Sequence, residues 1–296
     1  MCGTCGCGSE ENGAKILAPA IGKETHGHDH DHHHHSHGHS HGHDHGHHHH
    51  DHEHSHDHHH GHHHHHHDHD HDHHHKTVLE VERDILQQNE IMAARNRGYF
   101  DAKGIFALNL VSSPGSGKTS LLERTLKDMK DKISFYVIEG DQQTLNDANR
   151  IAALDVPVLQ INTGKGCHLE SDMIHDAVKQ LNIANDSVLM IENVGNLVCP
   201  SMFNLGEHKR VVIVSTTEGD DKPIKYPDMF HTSDICIINK IDLAPYLDTN
   251  IEELKKNARQ VNPGLVFFEV SATKGTGMEQ WYEWLETNAK LVPEDH

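Results

Sequence analysis

The stretch from Ile105 to Leu122, IFALNLVSSPGSGKTSLL, constrains this chain more than any other: an apolar run, a glycine-rich turn and a helix-spaced segment follow one another directly. That is the layout of a phosphate-binding loop. Gly115 and Gly117 let the backbone turn sharply and aim successive N–H groups of the Ser116 to Ser120 segment at an anion, to which the following helix presents its positive end. Lys118 is placed to reach the β- and γ-phosphates, and the Thr119 hydroxyl to ligate Mg²⁺. The full G-x-x-x-x-G-K-[ST] pattern asks for glycine where this chain has Ser112, a departure from the pattern that leaves the mechanism intact. Gly-Ser-Gly also marks ordinary turns, but strand, lysine and helix are all required together here, and all are present.

Downstream, short apolar runs alternate with helical stretches, and polar motifs stand where the runs end. Ile133 to Ile138 leads into Glu139-Gly140-Asp141. Asp141 at a strand's C-terminal end suits Mg²⁺ or an attacking water, and equally suits the cap of a helix starting near Thr144; both readings stay open. Pro157 to Ile161 leads into TGKGCHLES, where Cys167 and His168 are adjacent before a helix from Ser171 to Leu181. Two ligands do not close a metal site. Ser187 to Ile191 ends in Glu192-Asn193-Val194-Gly195-Asn196, the composition of a Mg²⁺ and γ-phosphate sensor in which the Gly195 N–H meets the phosphate, and Cys199 follows closely. If Cys199 meets Cys167 and His168 in space, metal binding and nucleotide state are mechanically linked. Val211 to Ser215 and Ile235 to Ile238 are further strands, with Cys236 as core; the second opens into Asn239-Lys240-Ile241-Asp242. At N-K-x-D spacing Asp242 accepts from the guanine ring N–H and exocyclic amine, donors adenine cannot supply, and buried readout of that kind discriminates strongly. Val266 to Val270 is the last strand, and Ser271 and Ala272 after it support the base through backbone groups. A helical tail from Met278 to Leu291 puts Trp281, Trp284 and Leu285 on one face, as core or docking residues. The alternation predicts an α/β, doubly wound, mostly parallel sheet.

The first 75 residues are of another kind. They hold 33 of the 38 histidines and almost no apolar periodicity, so they cannot bury a core and should be disordered without metal. The chain therefore divides into a cysteine motif (1–8), a linker (9–25), a histidine-rich metal-binding tract (26–75) and a nucleotide-binding domain (76–296). In MCGTCGCG, Cys2 and Cys5 have chelating C-x-x-C spacing and Cys7 lies close enough to be a third ligand. No thioredoxin-like unit follows, so metal binding is preferred over a redox pair. The tract's imidazoles are mostly neutral at pH 7 and free for Ni²⁺, Cu²⁺, Co²⁺ or Zn²⁺, and composition does not choose among them. An affinity tag would be short and uniform, whereas this tract is long and mixed with acids. As a flexible coil, fifty residues span about 40 Å, enough to reach sites on the folded domain. Val78 to Met92 follows with helical spacing of Leu79, Ile85, Leu86, Ile91 and Met92, and Gly98 is placed to end that helix.

Charge narrows the partners. Residues 1–75 carry 12 acids and two lysines and the remainder 33 acids and 23 basic residues, so each part contributes −10 to the net −20. No basic face is implied, which argues against nucleic acid and anionic membrane. No run is long enough to span a bilayer and no signal-peptide core follows Met1, so the reading is cytoplasmic with reduced cysteines.

Phosphate loop, sensor and N-K-x-D together indicate a GTPase. With the cysteine start, the histidine tract and the motifs SSPGSGKT, EGDQQT, GKGCHLE, ENVGN and NKID, essentially the whole chain resembles the HypB family, GTPase accessory proteins of the SIMIBI class that supply nickel to [NiFe]-hydrogenase. The resemblance implies a high-affinity nickel site at Cys2, Cys5 and Cys7, nickel storage in the histidine tract, and a nickel or zinc site of Cys167, His168 and Cys199 where two subunits meet. It also implies a GTP-favoured homodimer, with a zinc-binding HypA-type accessory protein and the hydrogenase large-subunit precursor as partners. On this reading Lys118 neutralises phosphates, Thr119 and Glu192 serve Mg²⁺, Asp141 is a candidate for positioning water, and Asn239, Lys240 and Asp242 form the guanine site. Two alternatives are a urease-type nickel GTPase, whose metal loop carries Cys-Pro-His where this chain has Cys167-His168, and a protein mainly for nickel or zinc storage and detoxification. Urease maturation in a host lacking its own GTPase would favour the first, and metal sensitivity on deleting 26–75, with hydrogenase unaffected, the second.

Overall fold

The computed structural model describes residues 15–17, 77–141 and 146–290. Eight strands form one sheet: β1 (Lys15–Leu17), β2 (Phe106–Ser112), β3 (Phe135–Asp141), β4 (Val158–Asn162), β5 (Val188–Glu192), β6 (Lys209–Ser215), β7 (Ile235–Asn239) and β8 (Val266–Glu269), in spatial order β1-β4-β3-β5-β2-β6-β7-β8. Every pairing is parallel except that of β1 with β4. The chain leaves β2, crosses over β5 to reach β3, and later returns to the other side of β2 with β6. The order thus reverses around β2, and the crevice at a reversal is where open α/β sheets receive ligands. The C-terminal ends of the parallel strands share one edge, so Ser112, Asp141, Glu192, Ser215 and Asn239 gather there.

Side-chain alternation along β2 sorts the core into two layers. Phe106, Leu108 and Leu110 face α2 (Lys118–Met129), α3 (Asn146–Ala152) and α8 (Met278–Ala289), where they join Leu122, Leu126, Ile151 and Trp281. The alternate residues face the other layer: Ala107 packs toward α1 (Val78–Lys103) and α4 (Ser171–Leu181), and Val111 toward α6 (Pro227–His231) and α7 (Ile251–Val261). A four-residue helix, α5 (Lys222–Lys225), precedes α6. In α8, Trp281 and Leu285 are buried and Trp284 half-buried, with the two indoles stacked 5.4 Å apart. Trp281 Nε1 donates to Thr125 Oγ1 at 3.0 Å, so its one polar atom is satisfied. Cys236 is fully buried, and burial raises its thiol pKa.

Two segments differ from the sequence reading. Lys15–Leu17 falls within the stretch read as linker, yet Lys15 pairs with Asn162 and Leu17 with Gln160. Three residues are too few to show a period, but they cover the otherwise unpaired edge of β4. Helix α1 runs through Gly98 and ends at Gly104, whose left-handed φ of 63° closes it. A side chain at Gly98 would meet nothing, and an exposed mid-helix glycine costs only about 1 kcal/mol. The helix also turns a different face inward. Leu79 is 77% exposed, and Ile85 and Ile91 are exposed, whereas Asn89, Ala93, Asn96 and Phe100 are buried. The two asparagines bury because each amide serves a loop backbone: Asn89 Nδ2 donates to Asn204 O (2.7 Å), and Asn96 Nδ2 to Ser171 O (2.7 Å) and Leu205 O (3.1 Å).

Candidate functional site

The loop after β2 runs straight into α2, with Gly117 as its N-cap at φ 91°. A Cβ there would lie 2.5 Å from Asn239 Nδ2, so only glycine lets the loop approach β7 this closely. Lys118 Nζ donates to Glu192 Oε1 at 2.8 Å, and the Thr119 hydroxyl to the same oxygen at 2.6 Å. Gly195 comes against the loop from the other side: its ideal Cβ position is 3.4 Å from Pro114. Ser116 is buried, and Gly115 and Ser120 are the exposed and half-buried flanks of the turn. Phosphate loop and sensor strand are therefore in direct contact.

Carboxylates crowd this end of the sheet. Glu139 and Glu192 lie opposite each other on β3 and β5. Glu139 is 3% exposed, and burial first, then the charges of Glu192 and Asp141, push its carboxyl up to about 8. The buried Oε2 atoms of Glu139 and Glu192 have no hydrogen-bond partner among the described residues. The unpartnered Glu192 oxygen, with Lys118 and Thr119 on the other oxygen of the same carboxylate, and the neighbouring Glu139 carboxyl, whose proton the charge of a bound cation would displace, form a donor set for a hard divalent cation, so these residues fit Mg²⁺. Asp147, on α3, lies 3.4 Å from the Thr119 hydroxyl. Asp141 ends β3, and α3 begins at Asn146, after residues 142–145, which lie outside the described set, as do Cys2, Cys5, Cys7 and the tract 26–75.

At the far end of the edge, Asn239 is fixed on every side. Its Nδ2 donates to Ser116 O (3.0 Å), while its Oδ1 accepts from Ala272 N (3.2 Å) and Lys240 N (2.8 Å). Lys240, at φ 61°, lays its side chain back so that Nζ donates to Gly115 O at 2.7 Å. The Ser271 hydroxyl donates to Asp242 Oδ1 at 2.6 Å. All members of the N-K-x-D and Ser-Ala pair thus converge beside the phosphate loop.

A third cluster lies behind the sensor. Cys167, His168 and Cys199 place one ligand atom each within 4.8 Å of one another, with the two Sγ atoms 2.7 Å apart. Cys199 opens a short 3-10 turn, Cys199–Met202, and His168 stacks on Phe203 at 3.9 Å between ring centroids. Glu170 Oε1 is 3.3 Å from His168 Nε2, close enough for an ion pair but not aligned as a hydrogen bond. The cluster is tied to the sensor by two asparagines: Asn193 Oδ1 accepts from Leu169 N (3.3 Å), and Asn196 Nδ2 donates to Cys167 O (3.3 Å). Sequence reading singled out the ligands but not these connectors, nor Glu139 and Asp147. The asparagines stand openly in ENVGN; nothing in sequence marks which loop they hold.

Residues 106–269 match the family described as CobW/HypB/UreG, nucleotide-binding domain, which defines the class as a P-loop GTPase. The hydrogenase maturation factor HypB of Rhizobium leguminosarum bv. viciae is 57% identical over 212 residues, 72% of this chain and 71% of that protein. HypB of Escherichia coli (strain K12) is 53% identical over 212 residues, covering 72% and 73%. Among solved structures, HypB from Helicobacter pylori in complex with nickel has a TM-score of 0.65 at 38% identity, over 71% of this chain and 99% of that one. This chain belongs to the HypB hydrogenase maturation factors.

Proposed function

We propose that the chain is a GTP-hydrolysing nickel metallochaperone that binds and stores nickel and hands it on during [NiFe]-hydrogenase maturation. The observation that carries this reading is the pair of hydrogen bonds from Asn193 and Asn196 to the Cys167–Leu169 backbone, which join the γ-phosphate sensor to the metal cluster. Asn239 and Asp242 select guanine. Lys118 leaves Glu192 to neutralise and orient phosphates, while Thr119, Glu192 and Asp141 would hold Mg²⁺, which when bound offsets charge on the β- and γ-oxygens. Residues 192–196 then shift against the phosphate loop and carry Leu169 with them. Cys167, His168 and Cys199 supply soft and borderline ligands suited to Ni²⁺ or Zn²⁺. Three ligands leave a tetrahedral ion one short, and Val198 and Met202, each 53% exposed, flank the cluster with apolar surface that fits a second copy in a GTP-favoured dimer. A HypA-type accessory protein and the hydrogenase large-subunit precursor are the receiving partners. The cysteine start and histidine tract gather and buffer nickel. No described helix is long and apolar enough to cross a membrane, in keeping with cytoplasmic work.

Phosphate release on GTP addition tests the division of labour. Lys118→Ala should lower the rate by about 100-fold or more, the scale of losing a preorganised charge on a transferring phosphoryl group, while Cys2→Ala leaves it unchanged. Equal loss in both variants would contradict the reading.

A further inference from the structure

Strand β2 ends in Ser112 and is otherwise apolar except for Asn109 in its interior, which is fully buried. An amide buried in a sheet destabilises unless both its ends are bonded. Here both are: Asn109 Oδ1 accepts from Asn193 Nδ2 at 3.2 Å, and Asn109 Nδ2 donates to Glu207 Oε1 at 3.0 Å. Glu207 is itself buried and paired with buried Arg210 at 2.8 Å. Burial opposes ionisation of Glu207, but the Arg210 charge and then the Asn109 hydrogen bond hold its carboxyl below the usual range. Its second oxygen accepts from Leu205 N at 2.7 Å.

Arg210 also reaches the segment that carries Cys199, while Nη1 donates in addition to Thr232 Oγ1 at 2.9 Å, which anchors the guanidinium to the end of α6. Nη1 donates to Ser201 O (3.2 Å) and Nη2 to Phe203 O (2.9 Å), so the guanidinium grips the turn at two carbonyls. Phe203 is the ring on which His168 stacks. The contacts close a circuit: Asn193 holds Leu169 directly, and through Asn109, Glu207 and Arg210 it also holds the opposite side of the cluster. The first arm positions Cys167 and His168; the second positions Cys199 and Phe203. None of Asn109, Glu207 and Arg210 belongs to the candidate nucleotide or metal ligands.

We infer that Asn109, Glu207 and Arg210 are positioning residues through which the sensor loop sets the Cys199 turn against His168, so that both sides of the metal cluster respond to nucleotide together. This rests on the coupling of nucleotide and nickel proposed above. A network of buried, fully bonded polar groups has few alternative arrangements, so a shift of Asn193 is passed on rather than absorbed. Releasing the relay leaves the Asn193–Leu169 and Asn196–Cys167 contacts, and the Asn196 Oδ1 bond from Val198 N (2.9 Å) at the start of the Cys199 turn, but the far side of that turn, Ser201 to Phe203, no longer follows the sensor.

The test uses the full chain and reads affinity for a fluorescent, non-hydrolysable GTP analogue with and without saturating Ni²⁺. Linkage requires that nickel change nucleotide affinity by the same factor as nucleotide changes nickel affinity, and couplings of this type typically run from about 5- to 150-fold. Cys167→Ala reports the nickel effect that belongs to this cluster rather than to the tail. In Asn109→Ala the factor should fall at least about threefold from its wild-type value, the Leu169 and Cys167 contacts being kept, with affinity in the absence of nickel within about twofold of the wild type. Arg210→Lys keeps a charge beside Glu207 but cannot span two carbonyls, should lower the factor likewise, and carries the test if Asn109→Ala does not fold. A merely structural role would lower thermal stability and leave the factor intact. A factor above unity in the wild type that persists undiminished in the folded variants overturns the relay alone. A factor of unity in the wild type overturns the coupling and the relay with it.

Discussion

The two ends of the ligand-binding edge are built on different principles. Around Asn239 each polar atom has a neutral or short-range partner: carbonyls of the phosphate loop on one side, the Ala272 N–H on the other, and Ser271 on Asp242. Around Glu192 the side chains are charged, crowded and incompletely bonded, with Lys118 and Thr119 both on one oxygen and the other oxygen orphaned beside Glu139. A surface whose groups already satisfy one another changes little on binding and favours selectivity. A surface with unbalanced charge changes its arrangement when charge arrives, which is what a switch requires. On the proposed function, base recognition and nucleotide sensing would sit on one sheet edge without sharing a mechanism.

Substitutions at the two ends should separate accordingly. The largest effect on nucleotide affinity is expected at the base end. Asp242→Asn exchanges a charged acceptor for a neutral amide, and GTP affinity should fall by about 100-fold, the cost of a lost charge-assisted pair, with thermal stability nearly unchanged. Competition with a labelled guanine nucleotide measures it. A loss below about threefold would mean the aspartate does not read the base.

The phosphate end should respond through pH instead. Glu139 carries a folded-state pKa near 8 against an ordinary carboxyl value of 4.5, so the nucleotide-free folded chain binds a proton that the unfolded chain has released. Its stabilising effect is complete below the unfolded value and is lost as pH rises through the window from 4.5 to about 8. Glu139→Gln removes that dependence. Relative to the wild type, the variant should gain stability as pH is raised from 5 to 8, by roughly 3 to 4 kcal/mol at most, and thermal melts across that range would show the two curves diverging. Parallel curves would place Glu139 in a less perturbed setting.

Much of this was legible before any coordinates. Apolar runs bounded by glycine and polar motifs located the parallel strands to within three residues, because a strand buried on both faces leaves a continuous apolar signature. The phosphate loop, sensor and N-K-x-D residues were legible for the same reason: each sits at a strand end, where spacing along the chain fixes position in space. What escaped was tertiary. The inward face of α1 is defined by Asn89 and Asn96, whose burial depends on loops more than 70 residues away. Gly98 looked like a stop but is only an exposed interruption, and Lys15–Leu17 is too short to advertise itself. Asn109 did leave a trace as the polar residue inside the apolar run of β2, although its partners Asn193 and Glu207 are 84 and 98 residues distant.

The central claim is that nucleotide state sets the affinity of the Cys167, His168 and Cys199 cluster for nickel. The most direct measurement is nickel titration of full-length chain bearing Cys2→Ala, Cys5→Ala and Cys7→Ala, followed by thiolate-to-nickel charge-transfer absorbance, to which the histidine tract is silent. Run in parallel with GDP and with a non-hydrolysable GTP analogue, the two titrations should have midpoints at least about fivefold apart, and Cys167→Ala should abolish the signal in both. Coincident titrations in the two nucleotide states would contradict the account.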